Sequence, residues 1–371
     1  MRTVRRWLHG EALGAVLFVL LGFLALFAFF DLVDELGALG TPSLIRPDHR
    51  YGLGDALLLV GLLLPSRAYE LLPIAVLIGT VYALARLARD SEFTILRTSG
   101  LGPMRTLRLM LELGLLFALL TFALGDYVAP PAARQAQLLK AQYRGGISTG
   151  ATGAWLRERN DDGGVAIVNV RALSPDGALR GIRIYRFDHR GLLHDVIDAE
   201  HGAAPAGGGV WQLRQVTLER HQPDGAQLTL QTLPTLDWPT TLGTEMLQVA
   251  LLKPERMRTL DLFLYARHLE RNDQNAQRYA IEFWRKLFYP MGCIVMVVLA
   301  LPFAYLHFRQ PALSGYVFVG VMIGISYVLL NGIFGHVGNL LGWTPWLAAG
   351  APAALYLALS LATLAWLVLR R

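Results

Sequence analysis

Six apolar runs of about 20 residues or more divide the chain, near 11–34, 68–88, 102–127, 281–306, 313–335 and 345–369. A helix needs about 20 such residues to cross the hydrocarbon core of a bilayer, so each run predicts a transmembrane helix. The first is too long for the apolar core of a signal peptide. No small-residue cleavage pattern follows it before Asp31 and Asp34. A shorter stretch, 55–64, ends at Pro65 and predicts an interfacial helix leading into the second span.

Between the third and fourth runs the pattern changes. "GGVAIVNVRAL" (163–173), "GIRIYRF" (181–187), "GVWQLRQVTLERH" (209–221) and "AQLTLQTL" (226–233) alternate apolar and polar residues. Turns such as "SPDG" (174–177) and "QPDG" (222–225) separate them. Period-2 alternation between Pro-Asp-Gly turns is the signature of short antiparallel strands, and their regular spacing favours a sandwich, jellyroll or open barrel. From about 255 to 286 the period becomes helical and runs into the fourth span. The predicted architecture is a membrane α-helical protein with three plus three spans and an inserted all-β, jellyroll-like domain. Its parts are 1–128, 129–260 and 261–371.

Composition agrees. Only 17% of the 371 residues are charged and 54% are hydrophobic, against about 25% charged in soluble domains. The net charge of +6 is spread along the chain without a Lys/Arg block, which argues against nucleic acid as a partner. The single cysteine, Cys293, lies in an apolar run and excludes an intramolecular disulfide and a thiolate metal cluster.

Lys and Arg in short loops set orientation. Arg2, Arg5 and Arg6 precede the first span. Arg86, Arg89, Arg97, Arg105 and Arg108 surround the loop after the second, Arg309 follows the fourth, and Arg370 and Arg371 end the chain. These positions are expected on the cytoplasmic side, with both termini, which places the β insert on the opposite side. The chain has no P-loop, no H-E-x-x-H and no nucleophile-elbow G-x-S-x-G on a strand–helix turn, and its nine histidines are dispersed, so neither catalytic residues nor a metal site is expected. Among acids within spans only Glu112 falls well inside, and Arg108 one turn earlier is its expected partner.

One cytoplasmic segment stands out, "ARDSEFTILRTSG" (88–100). Ser91 before Glu92 suits a helix start, and Gly100, Gly102 and Pro103 make a stop. Physical reasoning leaves two readings: an interfacial helix with solvated charges, or a docking helix that offers an acid and apolar side chains to a cytoplasmic partner.

Several stretches resemble the LptF/LptG family of lipopolysaccharide export permeases. They are "DLVDEL" (31–36), "PIAVLIGTVYALARLARDSEFTILRTSG" (73–100), "GDYVAPPA" (125–132), "KAQYRGG" (140–146), "GAWLRE" (153–158), "RYAIEFWRKLFYP" (278–290) and "IFGHVGNLLGWTPWLAAGAPAALYL" (333–357). The resemblance implies six spans with a periplasmic jellyroll, in the inner membrane of a Gram-negative cell. It implies an LptF-like permease partner, an LptB-like ATPase dimer, an LptC-like single-span protein and the periplasmic bridge protein LptA. ATP and Mg would bind the partner ATPase, with no cofactor on this chain. Residues 89–100 would be the coupling helix, with Glu92 facing an arginine of the ATPase and Ser91, Phe93, Leu96 and Arg97 beside it. The competing functions are a stand-alone secondary carrier and a scaffold with a binding domain. Paired midplane acids and repeat signals, which would favour a carrier, are missing from the sequence.

The chain departs from better-known members of the family at the end of the first helix. They carry lysines there, where this sequence has Asp31, Gly37 and Ala38. Asp31 and Asp34 at this gate would repel an anionic lipid, so compensating cations are sought in Arg46, Arg50, Arg67, Arg134 and Lys140. Arg67 and Lys140, which match or adjoin basic family positions, lead that set as phosphate ligands.

Overall fold

A computed structural model describes residues 2–43, 49–144, 154–159, 164–173, 178–205, 209–221, 228–243, 254–272, 274–305 and 313–369. In chain order the helices are α1 (Arg2–Leu36), α2 (Leu53–Arg89), α3 (Glu92–Thr98), α4 (Pro103–Ala123) and α5 (Ala129–Arg144). Six strands follow among the described residues: β1 (Ala154–Arg159), β2 (Val165–Leu173), β3 (Ala178–Phe187), β4 (Leu193–Ala203), β5 (Gly209–His221) and β6 (Leu228–Thr240). The chain then enters α6 (Thr259–Arg271), α7 (Gln277–Tyr305), α8 (Leu313–Leu340) and α9 (Pro345–Leu369). Among the described residues six helices are long and apolar enough to cross a membrane, and the strands lie between the third and the fourth of these.

Two boundaries differ from the sequence expectation. The stretch 55–64 is not a separate interfacial helix, because α2 continues through Pro65 and Pro73 for 37 residues. Proline interrupts a soluble helix, but in an apolar bundle neighbouring helices and local adjustment of the turn tolerate it. The third span also runs on: a π-helical turn at Leu124–Val128 joins α4 to α5. A Cβ on Gly125 would lie 2.3 Å from the Tyr69 ring, so glycine is what lets that ring lie against this turn.

The chain divides into two compact units. The first comprises Met1–Gly37, Val60–Ala132 and Ala280–Arg371. Its core is built mainly from α2, α4 and α7, with Val76, Leu77, Leu84, Met110, Leu113 and Met296 fully enclosed. α1 reaches this core through Leu8, Ala12 and Val16. A Cβ on Gly79 would sit 2.5 Å from the Val16 backbone, so α1 and α2 approach as closely as a glycine permits. Close approach of backbones is how helices gain van der Waals contact in a medium that offers no hydrophobic drive between them. Most of the rest of α1 is exposed, including Leu17, Phe18, Leu21, Leu26 and Phe29.

The second unit comprises Ala38–Leu59 and Ala133–Tyr279. Its six described strands form one antiparallel sheet in the order β1-β2-β3-β4-β5-β6. The insert is therefore all-β and antiparallel, as the alternation predicts. Its connectivity is a meander, without the crossovers of a Greek-key jellyroll among the described strands. Alternate residues point inward, among them Leu156, Val168, Ile184, Ile197, Trp211 and Leu213, and Tyr265, Ala266 and Leu269 of α6 pack into the same core. β6 carries Pro234 and Pro239, which donate no backbone hydrogen bond and suit a strand at the end of the order.

The two outermost strands meet at one point. The buried Glu158 of β1 accepts hydrogen bonds from Thr240 Oγ1 at the end of β6 (2.5 Å) and from the Thr241 backbone N–H (2.6 Å). Thr241 Oγ1 donates to the same carboxylate. The sheet thus curls until its edges are stitched there. Trp211 donates to the Leu242 carbonyl at 2.7 Å and packs edge-to-face on Trp238, which fixes the same corner.

Candidate functional site

The segment after α2 is tethered to its own bundle. Ser91 adopts a left-handed backbone (φ 61) at the N-cap of α3, and its hydroxyl caps nothing. The cap expected from Ser91 is therefore only a backbone one, with Ile95 N–H donating to the Ser91 carbonyl at 3.1 Å. The predicted stop is present: Thr98 and Ser99 hydroxyls donate to the Ile95 carbonyl, and Gly100 takes φ +96. Gly102 then precedes Pro103, the first residue of α4.

Of the five residues expected to couple this helix to a partner, Phe93 points inward. It is 1% exposed and meets Tyr305 at the end of α7 edge-to-face, with ring centroids 5.3 Å apart. Arg97 lies over the same ring at 5.1 Å. Leu96 is half-buried, whereas Ser91 and Glu92 are exposed. Ile95, 62% exposed, is the apolar side chain on the outer face. The partner of Phe93 lies more than 200 residues away in the chain and leaves no local signal in the sequence.

At the far end of α1, Asp31 is engaged. Arg67 of α2 donates from Nη2 to Asp31 Oδ1 at 2.8 Å and from Nε to Oδ2 at 3.1 Å, a two-pronged pair. The guanidinium also lies 5.2 Å from the Phe27 ring and 3.8 Å from Glu70. Arg67 is thus the compensating cation for Asp31, but its fork is occupied by that carboxylate. Asp34, one turn on, is exposed.

Arg50, Arg134 and Lys140 belong to the second unit, the first two exposed and Lys140 half-buried on α5. Nearby, Tyr143 hydrogen-bonds His49 at 3.0 Å and packs on Tyr51, so the chain after residue 48 is held against α5. Arg46 lies outside the described residues.

Glu112 takes a different partner from the one expected. It pairs with Arg5 of α1 at 3.5 Å rather than with Arg108. A one-turn spacing makes a local pair available, but the crossing of α1 and α4 brings Arg5 closer. Arg86 and Glu11 form a second α1–α2 ion pair that spacing could not reveal. Among the described residues no group of three His, Cys, Asp or Glu side chains could hold a metal ion.

Among the described residues, six helices apolar and long enough to cross a bilayer, an antiparallel β insert and a short helix anchored on the fourth span define a multi-pass α-helical membrane protein with an inserted β unit. A profile of the lipopolysaccharide export system permeases LptF/LptG matches residues 6–367, so the chain belongs to that family. Over 368 residues it is 27% identical to the lipopolysaccharide export system permease protein LptG of Escherichia coli K12, covering 99% of this chain and 98% of the relative. It is 26% identical over 373 residues to LptG of Haemophilus influenzae, with 100% and 99% covered. The chain is an LptG-like member of the family.

Proposed function

We propose that this chain is the transmembrane permease subunit of an ABC transporter. The assembly extracts lipopolysaccharide from the inner membrane and delivers it to a periplasmic bridge such as LptA. An LptF-like permease completes the cavity and an LptC-like single-span protein associates with it. ATP and Mg bind an LptB-like ATPase dimer. Both termini and α3 face the cytoplasm, on the strength of the arginines at that end, and the β unit faces the periplasm.

The observation that carries this reading is the construction of α3. Glu92 and Ile95 are presented outward, while Phe93 and Arg97 fasten the helix to Tyr305 of α7. A solvated connector needs no such anchor. A partner that grips Glu92 through an arginine and Ile95 through an apolar groove can push directly on a spanning helix.

Glu92→Ala is expected to weaken association of the ATPase by at least about tenfold, the loss of a charge-assisted contact at a desolvated interface. Export falls with it, while membrane insertion and the Phe93–Tyr305 anchor persist. Pull-down of the ATPase and lipopolysaccharide release from spheroplasts measure both. Unchanged binding and export would remove α3 from the coupling path.

A further inference from the structure

Near the arginine-rich start of α1 an open cleft of about 410 Å³ lies between α1 and α4. No step proposed above uses it. Arg5, Arg6 and His9 line it from α1, and Glu112 faces them from α4. Leu113, fully buried, forms part of its floor, and the exposed Leu13 and Leu116 stand on its two walls.

We propose that this cleft binds the headgroup of an anionic glycerophospholipid. Three observations converge. The first is charge: two guanidiniums against one carboxylate leave at least one positive charge, which matches a single phosphodiester. The second is availability. The Arg5–Glu112 pair is loose at 3.5 Å and both side chains are well exposed, so it contributes little and Arg5 can exchange the carboxylate for a phosphate. The third is what adjoins the cleft. From Leu13 an exposed stripe continues through Leu17 and Leu21 at four-residue intervals, and Leu116 is followed by Leu120 on α4. Both rows leave the charged end in the same direction, as two acyl chains would from one headgroup. Basic pockets between spanning helices at the cytoplasmic surface suit such headgroups. A free phosphate would use the arginines and have no need of the leucine rows.

Gly10 supplies the space. Gly10 lines the cleft, and a Cβ built there meets nothing within 4 Å, so a larger side chain fits at its wall without a clash. Gly10→Leu therefore plugs the cleft while raising helix propensity, which keeps the variant folded. The inference rests on the six-span fold and is independent of export.

The test is native mass spectrometry of the full chain, purified in mild detergent with whatever subunits it retains, then delipidated. The purified protein is titrated with phosphatidylglycerol, phosphatidylethanolamine or inorganic phosphate. Phosphatidylglycerol is expected to bind in preference to the other two. Each of Arg5→Gln and Arg6→Gln weakens it about fivefold, Gly10→Leu abolishes it, and Glu112→Gln strengthens it by removing the competing anion. Binding that is indifferent to all four substitutions overturns the site. Preference for phosphatidylethanolamine, weakened by Glu112→Gln, would mean that Glu112 holds an ammonium and overturns the anionic assignment. Competition by inorganic phosphate at equal concentration would overturn the lipid assignment. Lipopolysaccharide retained on purification is read in the spectra taken before delipidation, so failure of the export reading is seen separately.

Discussion

Arg67→Ala and Asp31→Ala remove the two halves of one ion pair, and the structure makes their consequences unequal. At 2.8 Å and an effective dielectric constant of about 20, the gross attraction is about 6 kcal/mol. Desolvation of both groups offsets much of it, leaving a charge-assisted pair of about 2–3 kcal/mol. The Asp31 side chain is 13% exposed and that of Arg67 34%. Arg67→Ala therefore strands a nearly enclosed carboxylate, with a loss of about 3–5 kcal/mol. Asp31→Ala leaves a guanidinium that still has the Phe27 ring, Glu70 and partial access to water, so about 1–2 kcal/mol is expected. The double variant should be more stable than Arg67→Ala alone, because no charge is then left without its partner. Thermal unfolding of the four proteins in one detergent measures the cycle. Equal losses for the two single variants, or a double variant worse than either, would refute the argument. Asp31→Asn should also free the guanidinium fork and raise lipopolysaccharide retention, if Arg67 is a phosphate ligand held in check.

Two further outcomes concern the β unit. Glu158→Gln replaces an oxygen that accepts hydrogen bonds with an amide N–H₂ that cannot, so about 2–4 kcal/mol of the seam between β1 and β6 is lost. Faster hydrogen exchange in 154–159 and 228–243, with β3 and β4 unchanged, is the expected signature; uniform exchange would contradict it. Burial, reinforced by Arg271, depresses the titration of half-buried His268 despite the opposing field of Glu158. The unfolded chain then takes up the proton first, so stability is fully present above about pH 6.5 and falls as pH drops below it. His268→Gln should flatten that decline in thermal scans between pH 7.5 and 5.5, and an unaltered slope would absolve His268.

The spans and strands were legible because each is a repeating local pattern: about 20 apolar residues, or alternation between Pro-Asp-Gly turns. What escaped depends on contacts between distant residues. Pro65 reads locally as a helix stop, yet the bundle carries α2 through it. Arg108 is the near neighbour of Glu112 in sequence, yet the crossing of α1 and α4 supplies Arg5. Arg67 was singled out as a cation, but only the fold reveals that Asp31, 36 residues earlier, already occupies it. Phe93 looked like an outward knob until Tyr305 was placed beneath it. Alternation likewise gave strands without their order, and the stitching of β1 to β6 by Glu158 could not be read from either strand alone.

Tyr305 receives both Phe93 and Arg97, one against its edge and one on its face. An aromatic pair and a cation–π contact together are worth about 1–3 kcal/mol. Burial of the Phe93 side chain adds about 2–3 kcal/mol, and the sum, a few kcal/mol, caps the work this contact can pass to α7 before it gives way. α3 is then less a rigid crank than a clutch: it carries small loads and slips under large ones. A load on α3 is released at this ring without tearing the bundle apart.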